Sequence, residues 1–164
     1  MATTSLQPVE TDHDRDVLTR LWQLYAHDLS EFRGTMPDEE GLFRAGRLPT
    51  YLTEADRACH LVRHDDAWAG FGLVRSTGDA THVMGEFFVV RGARRSGVGR
   101  EAARMLLRTY PGRWEIAFQD DNAGAARFWR QVATDLVGDA WHEEPRPVPD
   151  KPEIPPDLWL TLSV

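Results

Sequence analysis

The sequence predicts an α/β fold in which helices cover both faces of one mixed β-sheet. Three strand-like runs at residues 57–63, 68–75 and 81–90 are joined by short polar links. Such links indicate an antiparallel meander, because parallel neighbours need a long crossover. An Ala- and Leu-rich helical pattern at 98–108 then leads to a strand-like run at 114–119, WEIAFQ. This order predicts a parallel βαβ unit after the meander.

The remaining elements lie on either side of this centre. Residues 5–10 are predicted as an edge strand, and residues 13–32 as an amphipathic helix because apolar side chains recur every three or four positions. Between them and the meander we expect a loop at 34–49 and a helical turn at 52–56. After the βαβ unit the patterns predict a helix at 123–133, a strand at 136–143, a proline-rich connector at 145–156 and a last strand at 157–164.

Composition limits the function classes. A chain of 164 residues is typical of one domain, here residues 1–164. The net charge of -7 argues against a protein that coats nucleic acid. No signal segment opens the chain and no apolar run reaches about 20 residues, so we expect a cytoplasmic protein without a membrane partner. Cys59, His60 and His64 lack the spacing of zinc ligands, so no metal is expected.

Residues 84–100, MGEFFVVRGARRSGVGR, combine an apolar strand, a loop with three arginines and a helix start at Gly97-Val98-Gly99. The first N–H groups of a helix have no intrahelical partner, and the helix dipole favours negative charge there. Glycine lets a phosphate approach the backbone. This stretch therefore predicts an anion-binding site.

Residues 94–99, RRSGVG, resemble the acyl-CoA motif of the GCN5-related N-acetyltransferase (GNAT) family: Arg or Gln, two residues, Gly, one residue, then Gly or Ala. Val89 matches the valine that this family places five residues earlier. A second signature, Asn, two residues, Ala, two residues, Phe, is matched by Asn122, Ala125 and Phe128. Alone, that segment would be a capped amphipathic helix; with the first motif it favours the family, over residues 83–132.

The resemblance implies the GNAT fold and acetyl-CoA as co-substrate. It also implies direct acyl transfer in a ternary complex to a small-molecule or peptide amine. The implied coenzyme contacts come from the strand end, the loop, the first helical turn and the second signature: Phe88, Val89, Val90, Arg94, Arg95, Ser96, Gly97, Val98, Gly99, Arg100, Asn122, Ala125 and Phe128. Among these, the N–H groups of Val89 and Val90 are implied to face the thioester carbonyl. The charge and fork geometry of Arg94 and Arg95 predict contacts with phosphates; the alternative for each is a solvated surface arginine.

Glu86 is the predicted general base, because it is the carboxylate in an otherwise apolar strand beside the acyl site. A substrate ammonium must lose a proton before the amine attacks a thioester. The alternative for Glu86 is a structural carboxylate that pairs with an arginine or faces solvent. Asp28, Glu31, Asp120 and Asp121 would attract a cation if they met at the cleft; otherwise they are solvated caps and turns.

At the position of Trp129 the family often has a tyrosine, which is implied to protonate or hydrogen-bond the leaving thiolate. Indole is no proton donor at neutral pH. Tyr25 or Tyr51 could reach the cleft, and a thiol with a pKa of about 8.5 can also leave as thiolate. The general acid therefore stays unassigned.

Two other functions fit parts of the sequence. A non-catalytic acyl-CoA-binding domain is compatible with Trp129. Gly97, Gly99 and Ala102, with Asp120 further on, satisfy the relaxed dinucleotide fingerprint, although it stands late in the chain, after a meander. Edge strands and the apolar C-terminal strand suit a homodimer.

Overall fold

The computed structural model describes residues 1–164 and contains one seven-stranded sheet in the order β1-β2-β3-β4-β5-β7-β6. Only β4 and β5 pair in parallel, so the predicted mixed α/β fold, with a meander followed by a βαβ unit, is confirmed. The strands are β1 Thr4–Pro8, β2 Arg57–His64, β3 Ala67–Ser76, β4 Thr81–Val89, β5 Arg113–Phe118, β6 Trp141–Arg146 and β7 Asp157–Ser163. The helices are α1 Asp12–Arg33, α2 Leu48–Thr53, α3 Val98–Thr109 and α4 Ala123–Val137.

The helices divide between the two faces of the sheet, as predicted. α1 and α2 pack over one buried cluster that includes Leu61, Phe71 and Leu73. α3 and α4 pack over a second cluster on the opposite face, around Trp114 and Leu160. None of the helices is long and apolar enough to span a membrane.

Two predicted elements were wrong in position. The helical turn expected at 52–56 begins earlier, as α2, because Pro49 lies in its first turn, where a missing N–H costs nothing. The strand expected at 136–143 begins only at Trp141. Residues 136 and 137 extend α4, where they pack against the core, and Gly138 with φ 62° ends the helix. Pro145 lies inside β6, which tolerates it as an edge strand.

Two glycines of β3 lie where a side chain would not fit. A Cβ on Gly70 would lie 1.9 Å from the carbonyl oxygen of Phe88, and one on Gly72 would lie 2.4 Å from Cδ2 of Leu106. β4 is thus held tightly against β3 on one side. On its other side it pairs with β5 only from Thr81 to Met84. Beyond Met84 the two strands separate, and residues 85–89 border an opening in the sheet.

Candidate active site

The loop of residues 94–99, here called the glycine loop, presents free backbone donors. Arg95 and Gly97 have left-handed φ values of 64° and 91°. The N–H groups of Arg95, Ser96 and Gly97 donate to no protein acceptor. The N–H groups of the first turn of α3 likewise have no partner within the helix. Together these donors make the start of α3 a candidate anion site.

The side chains of Arg91, just before this loop, and Arg94, at its start, point to α1. The Nε of Arg94 donates to the carbonyl oxygen of Val89 at 2.8 Å, and its guanidinium also pairs with Asp28. The Nε of Arg91 donates to the same carboxylate at 3.0 Å. Burial acts to raise the pKa of Asp28, but the hydrogen bonds from both arginines outweigh it and leave the pKa lowered. The backbone N–H of Arg94 is also used, because it donates to the carbonyl oxygen of Arg91 at 3.1 Å. Arg94 therefore meets a phosphate only if it gives up one of these protein partners.

Of the other two arginines, Arg100 is held by an ion pair and Arg95 is not. Arg100 donates from Nε and Nη2 to one oxygen of Asp135 on α4, at 3.1 and 2.5 Å. The exposed side chain of Arg95 takes part in no ion pair. The Ser96 hydroxyl donates to the carbonyl of Ala93 at 2.8 Å and closes the turn. Arg95 is thus the loop arginine whose charge is available to a ligand.

The second signature meets the first at Gly99. A Cβ on Gly99 would lie 3.4 Å from both Cε2 of Phe128 and Cγ2 of Val89. Asn122 caps α4, since its Oδ1 accepts the N–H of Ala125 at 3.1 Å. The NH₂ group of Asn122 has no protein acceptor and stays free for a ligand. The two segments that carried the resemblance therefore lie side by side.

The N–H groups at the end of β4 point in opposite directions. The N–H of Val90 donates to the carbonyl of Ala69 at 2.8 Å, so it faces β3 and is already used. Because successive residues alternate, the N–H of Val89 faces the opening between β4 and β5. The side chains of Phe88 and Val98 lie in the core, where Phe88 contacts Tyr25. By the same alternation the N–H of Phe88 faces β3, so of these two residues only Val98 has a backbone N–H left for a ligand.

Glu86 is held by two side chains from distant parts of the chain. Its Oε2 accepts the hydroxyl proton of Tyr25, and its Oε1 lies 3.2 Å from Nη2 of Arg47. The side chain of Glu86 is 12% exposed, and Tyr25 is 8% exposed. Burial, and then the negative charge of Glu86, raise the pKa of Tyr25 well above its ordinary value. Tyr25 therefore stays protonated at neutral pH, and its hydroxyl donates the hydrogen bond that orients the carboxylate of Glu86.

Arg47 reaches Glu86 because α1 holds the preceding loop. Gln23 and the backbone of Phe43 exchange two hydrogen bonds of 2.9 and 2.8 Å. The indole of Trp22 donates to the carbonyl of Arg44 at 3.1 Å. Sequence reasoning missed Arg47 and named Tyr25 without a partner. The buried stripe of α1 predicted that Tyr25 faces the core, but nothing local pointed to a carboxylate 61 residues away.

Trp129 occupies a hydrophobic position beside the cofactor motifs. Its ring centroid lies 4.9 Å from that of Phe128 and 5.3 Å from that of Phe87, both edge to face. Its indole N–H donates to no protein group. The Tyr51 hydroxyl fills the space over Gly85, where an added Cβ would lie 1.8 Å from it. The hydroxyls of Tyr25 and Tyr51 are thus two phenolic groups placed at residues 86 and 85, and that of Tyr25 is held by Glu86.

The acids that would attract a cation if they met at the cleft are not gathered into one cluster. Asp28 is neutralised by Arg91 and Arg94. Asp120 and Asp121 are exposed beside the N-terminus of α4. No group of three or more His, Cys, Asp or Glu side chains is placed to hold a metal ion.

Comparison with known proteins agrees with this geometry. The sequence model of the Acetyltransferase (GNAT) family matches residues 18–133. Among proteins of curated function, none matches the sequence.

Solved structures are similar in fold. The ribosomal-protein-S18-alanine N-acetyltransferase of Escherichia coli superposes with a TM-score of 0.66 at 10% identity, covering 99% of this chain and 94% of that one. A Bacillus subtilis acetyltransferase in complex with CoA gives 0.65 at 12% identity, with 99% of each chain covered. A Staphylococcus aureus acetyltransferase of the GNAT family gives 0.64 at 11% identity, covering 98% of this chain and 99% of that one. With a family match over well more than half of its length, the chain belongs to the GNAT acetyltransferase family.

Proposed function

We propose that this single domain is an acyl-CoA-dependent N-acyltransferase that transfers acetyl from acetyl-CoA to an amine. The proposal rests on the relative positions of the glycine loop and Glu86. The free donors of the glycine loop lie at the end of the strand that holds Glu86, and that strand borders the opening in the sheet. A set of free donors and a partly buried carboxylate thus lie along one strand and the loop that follows it.

The residues present fit coenzyme A. The N–H groups of residues 95–100 and the charge of Arg95 suit a pyrophosphate. The NH₂ of Asn122 suits the amide-rich arm, and Phe128 packs beside Gly99 where the arm would pass. The bound co-substrate supplies an activated acetyl thioester. The N–H of Val89, which faces the opening, donates to the carbonyl oxygen as negative charge develops there.

Glu86 acts as the general base in this proposal. Tyr25 holds Oε2, while Oε1 faces the exposed side chain of Arg47 and is the oxygen that an incoming ammonium can reach. Proton transfer to Glu86 leaves a neutral amine that attacks directly. A covalent enzyme intermediate is not expected at Cys59, because burial raises the pKa of its thiol to about 11 and its Sγ donates to the carbonyl of Tyr51.

The leaving group needs no side-chain acid. Trp129 stands where the family often has tyrosine, and its indole does not release a proton at neutral pH. A thiol with a pKa of about 8.5 can depart as thiolate and take its proton from water. The same residue supports the second candidate function, an acyl-CoA-binding domain without turnover. The dinucleotide alternative is wrong, because the sheet has only one parallel pair and the chain is a GNAT protein.

The test is thiol release from acetyl-CoA across a panel of amines, run beside direct binding of acetyl-CoA and of NADH. Turnover of any amine supports the enzyme and eliminates the binding-only function. Acetyl-CoA binding with no turnover on any amine supports the binding domain instead. Glu86→Gln is the control, because it keeps the side-chain shape and removes the base. A homodimer through the free edges of β1 or β6 stays a prediction.

A further inference from the structure

The charges around Glu86 do not match a substrate that is only a cation. Arg47 pairs with Glu86 and with no other protein group. Arg33 is exposed and makes no ion pair. Arg33 and Arg47 both lie close enough to Tyr25 for their charges to oppose the rise of its pKa that burial and Glu86 cause. Glu86 thus pairs with one guanidinium, that of Arg47, and Arg33 adds a second positive charge near Tyr25.

A ligand can replace Arg47 as the ion-pair partner of Glu86. The side chain of Arg47 is 72% exposed and begins at the N-cap of the short helix α2. Exposed ion pairs contribute only about 0–1 kcal/mol, so a ligand can replace one. Glu86 is fixed by the buried hydroxyl of Tyr25, so Arg47 is the partner that moves.

The two kinds of acceptor differ in the charges that they leave unpaired. A simple ammonium that takes Glu86 would leave Arg47 without a partner. An amine that also carries a carboxylate keeps both Glu86 and Arg47 paired: its ammonium takes Glu86, and its carboxylate takes the fork of Arg47. Arg47 starts in contact with Glu86, at 3.2 Å, and is anchored at the N-cap of α2, so a ligand whose amine and carboxylate are separated by few bonds requires the smallest displacement of Arg47.

We infer that the acceptor is a free amino acid, with Arg47 binding its carboxylate while Glu86 receives its ammonium proton. The inference rests on the proposed function. In the reaction the amine nitrogen bonds to the acetyl carbon, the carbon–sulfur bond breaks, and its electron pair leaves on the coenzyme sulfur. The first ammonium proton passes to Glu86 before the attack and then to water. The second leaves the nitrogen as the tetrahedral intermediate collapses and passes through water to the coenzyme thiolate, so the products are the amide, the free thiol and one proton. A peptide N-terminus lacks the neighbouring carboxylate and is disfavoured.

The experiment compares matched acceptors. Amino acids with apolar, acidic and basic side chains are each assayed with acetyl-CoA beside their carboxamide and their decarboxylated amine. For every side chain that is turned over, kcat/KM is expected to favour the acid by about tenfold or more, as charge-assisted hydrogen bonds allow. Arg47→Gln is expected to raise KM for the acid by about the same factor, with little change in kcat, and to leave the carboxamide unaffected.

Two further variants separate binding from structure. Arg47→Lys keeps the charge but not the fork, so it should restore part of the preference. Arg44→Gln makes the same charge change on an exposed residue of the same loop and should leave all acceptors unchanged. An equal or better rate for carboxamides overturns the inference, as does an Arg47→Gln variant that behaves like the parent or improves every amine. Failure of every amine overturns the proposed function itself, whereas turnover without preference for acids overturns only this inference.

Discussion

The two sides of the opening are prepared for ligands in opposite ways. On the cofactor side, the glycine loop presents backbone N–H groups that donate to nothing in the protein. On the acceptor side, Glu86, Tyr25 and Arg47 already satisfy one another. The first side can bind an anion without rearrangement, whereas the second must exchange an internal ion pair for substrate. Cofactor affinity and acceptor turnover should therefore respond to different residues.

The largest effect is expected from Glu86→Gln. The variant keeps an oxygen for Tyr25 but cannot take a proton from the ammonium, so turnover should fall about 100-fold or more. Acetyl-CoA affinity should stay within a factor of about two, since Glu86 does not contact the glycine loop. Steady-state rates across pH and calorimetric binding measure the two quantities. Parent-like turnover at every pH would show that Glu86 is structural.

Gly97→Ala tests the glycine loop. Gly97 has a φ of 91° and no heavy atom within 4 Å of an added Cβ, so only backbone strain opposes the alanine. That strain costs roughly 1–2 kcal/mol, and we expect acetyl-CoA affinity to fall about tenfold as the loop relaxes. Gly78→Ala is the matched control, with a φ of 80° and equally open space in the turn before β4. It should lower stability without changing affinity; equal losses of affinity would remove the loop from the site.

The same contrast explains how far sequence reasoning could reach. The glycine loop is local: strand, arginines, glycines and helix start are consecutive, so their pattern predicts the anion site. The acceptor side is assembled over long separations, 61 residues between Tyr25 and Glu86 and 39 between Arg47 and Glu86. No spacing rule connects such residues. For the same reason the arginine pattern suggested phosphate contacts for Arg94, while Asp28, 66 residues away, holds its guanidinium.

Asp28 joins the two sides, because it lies one helical turn after Tyr25 and pairs with Arg91 and Arg94. Its pKa is lowered in the fold, where hydrogen bonds from the arginines outweigh burial. A lowered pKa stabilises the protein above the ordinary value of 3.8 and loses that stabilisation as pH falls through the folded value.

We therefore expect Asp28→Asn to lower the free energy of unfolding near neutral pH by at most about 1 kcal/mol and to flatten its acid limb. Denaturant unfolding between neutral and acidic pH measures this. Asp135→Asn, which frees Arg100 on the α4 side, is the comparison variant. If Asp28→Asn leaves the acid limb as steep as in the parent, Asp28 does not link α1 to the loop.

The smallest effect at neutral pH concerns the hydroxyl of Tyr25. Burial, and then the charge of Glu86, raise its pKa well above 10.0. The fold thus favours the protonated phenol, and this stabilisation is complete below pH 10.0 and falls as pH rises through the folded pKa. Unfolding measured at rising alkaline pH should show an extra slope of up to about 1.4 kcal/mol per pH unit, absent in Tyr25→Phe. Tyr110→Phe should remove less of it, because the phenol of Tyr110 is only half-buried. An unchanged slope in Tyr25→Phe would mean that Tyr25 is open to solvent, and the carboxylate of Glu86 would then lack the fixed partner that makes Arg47 the one to move.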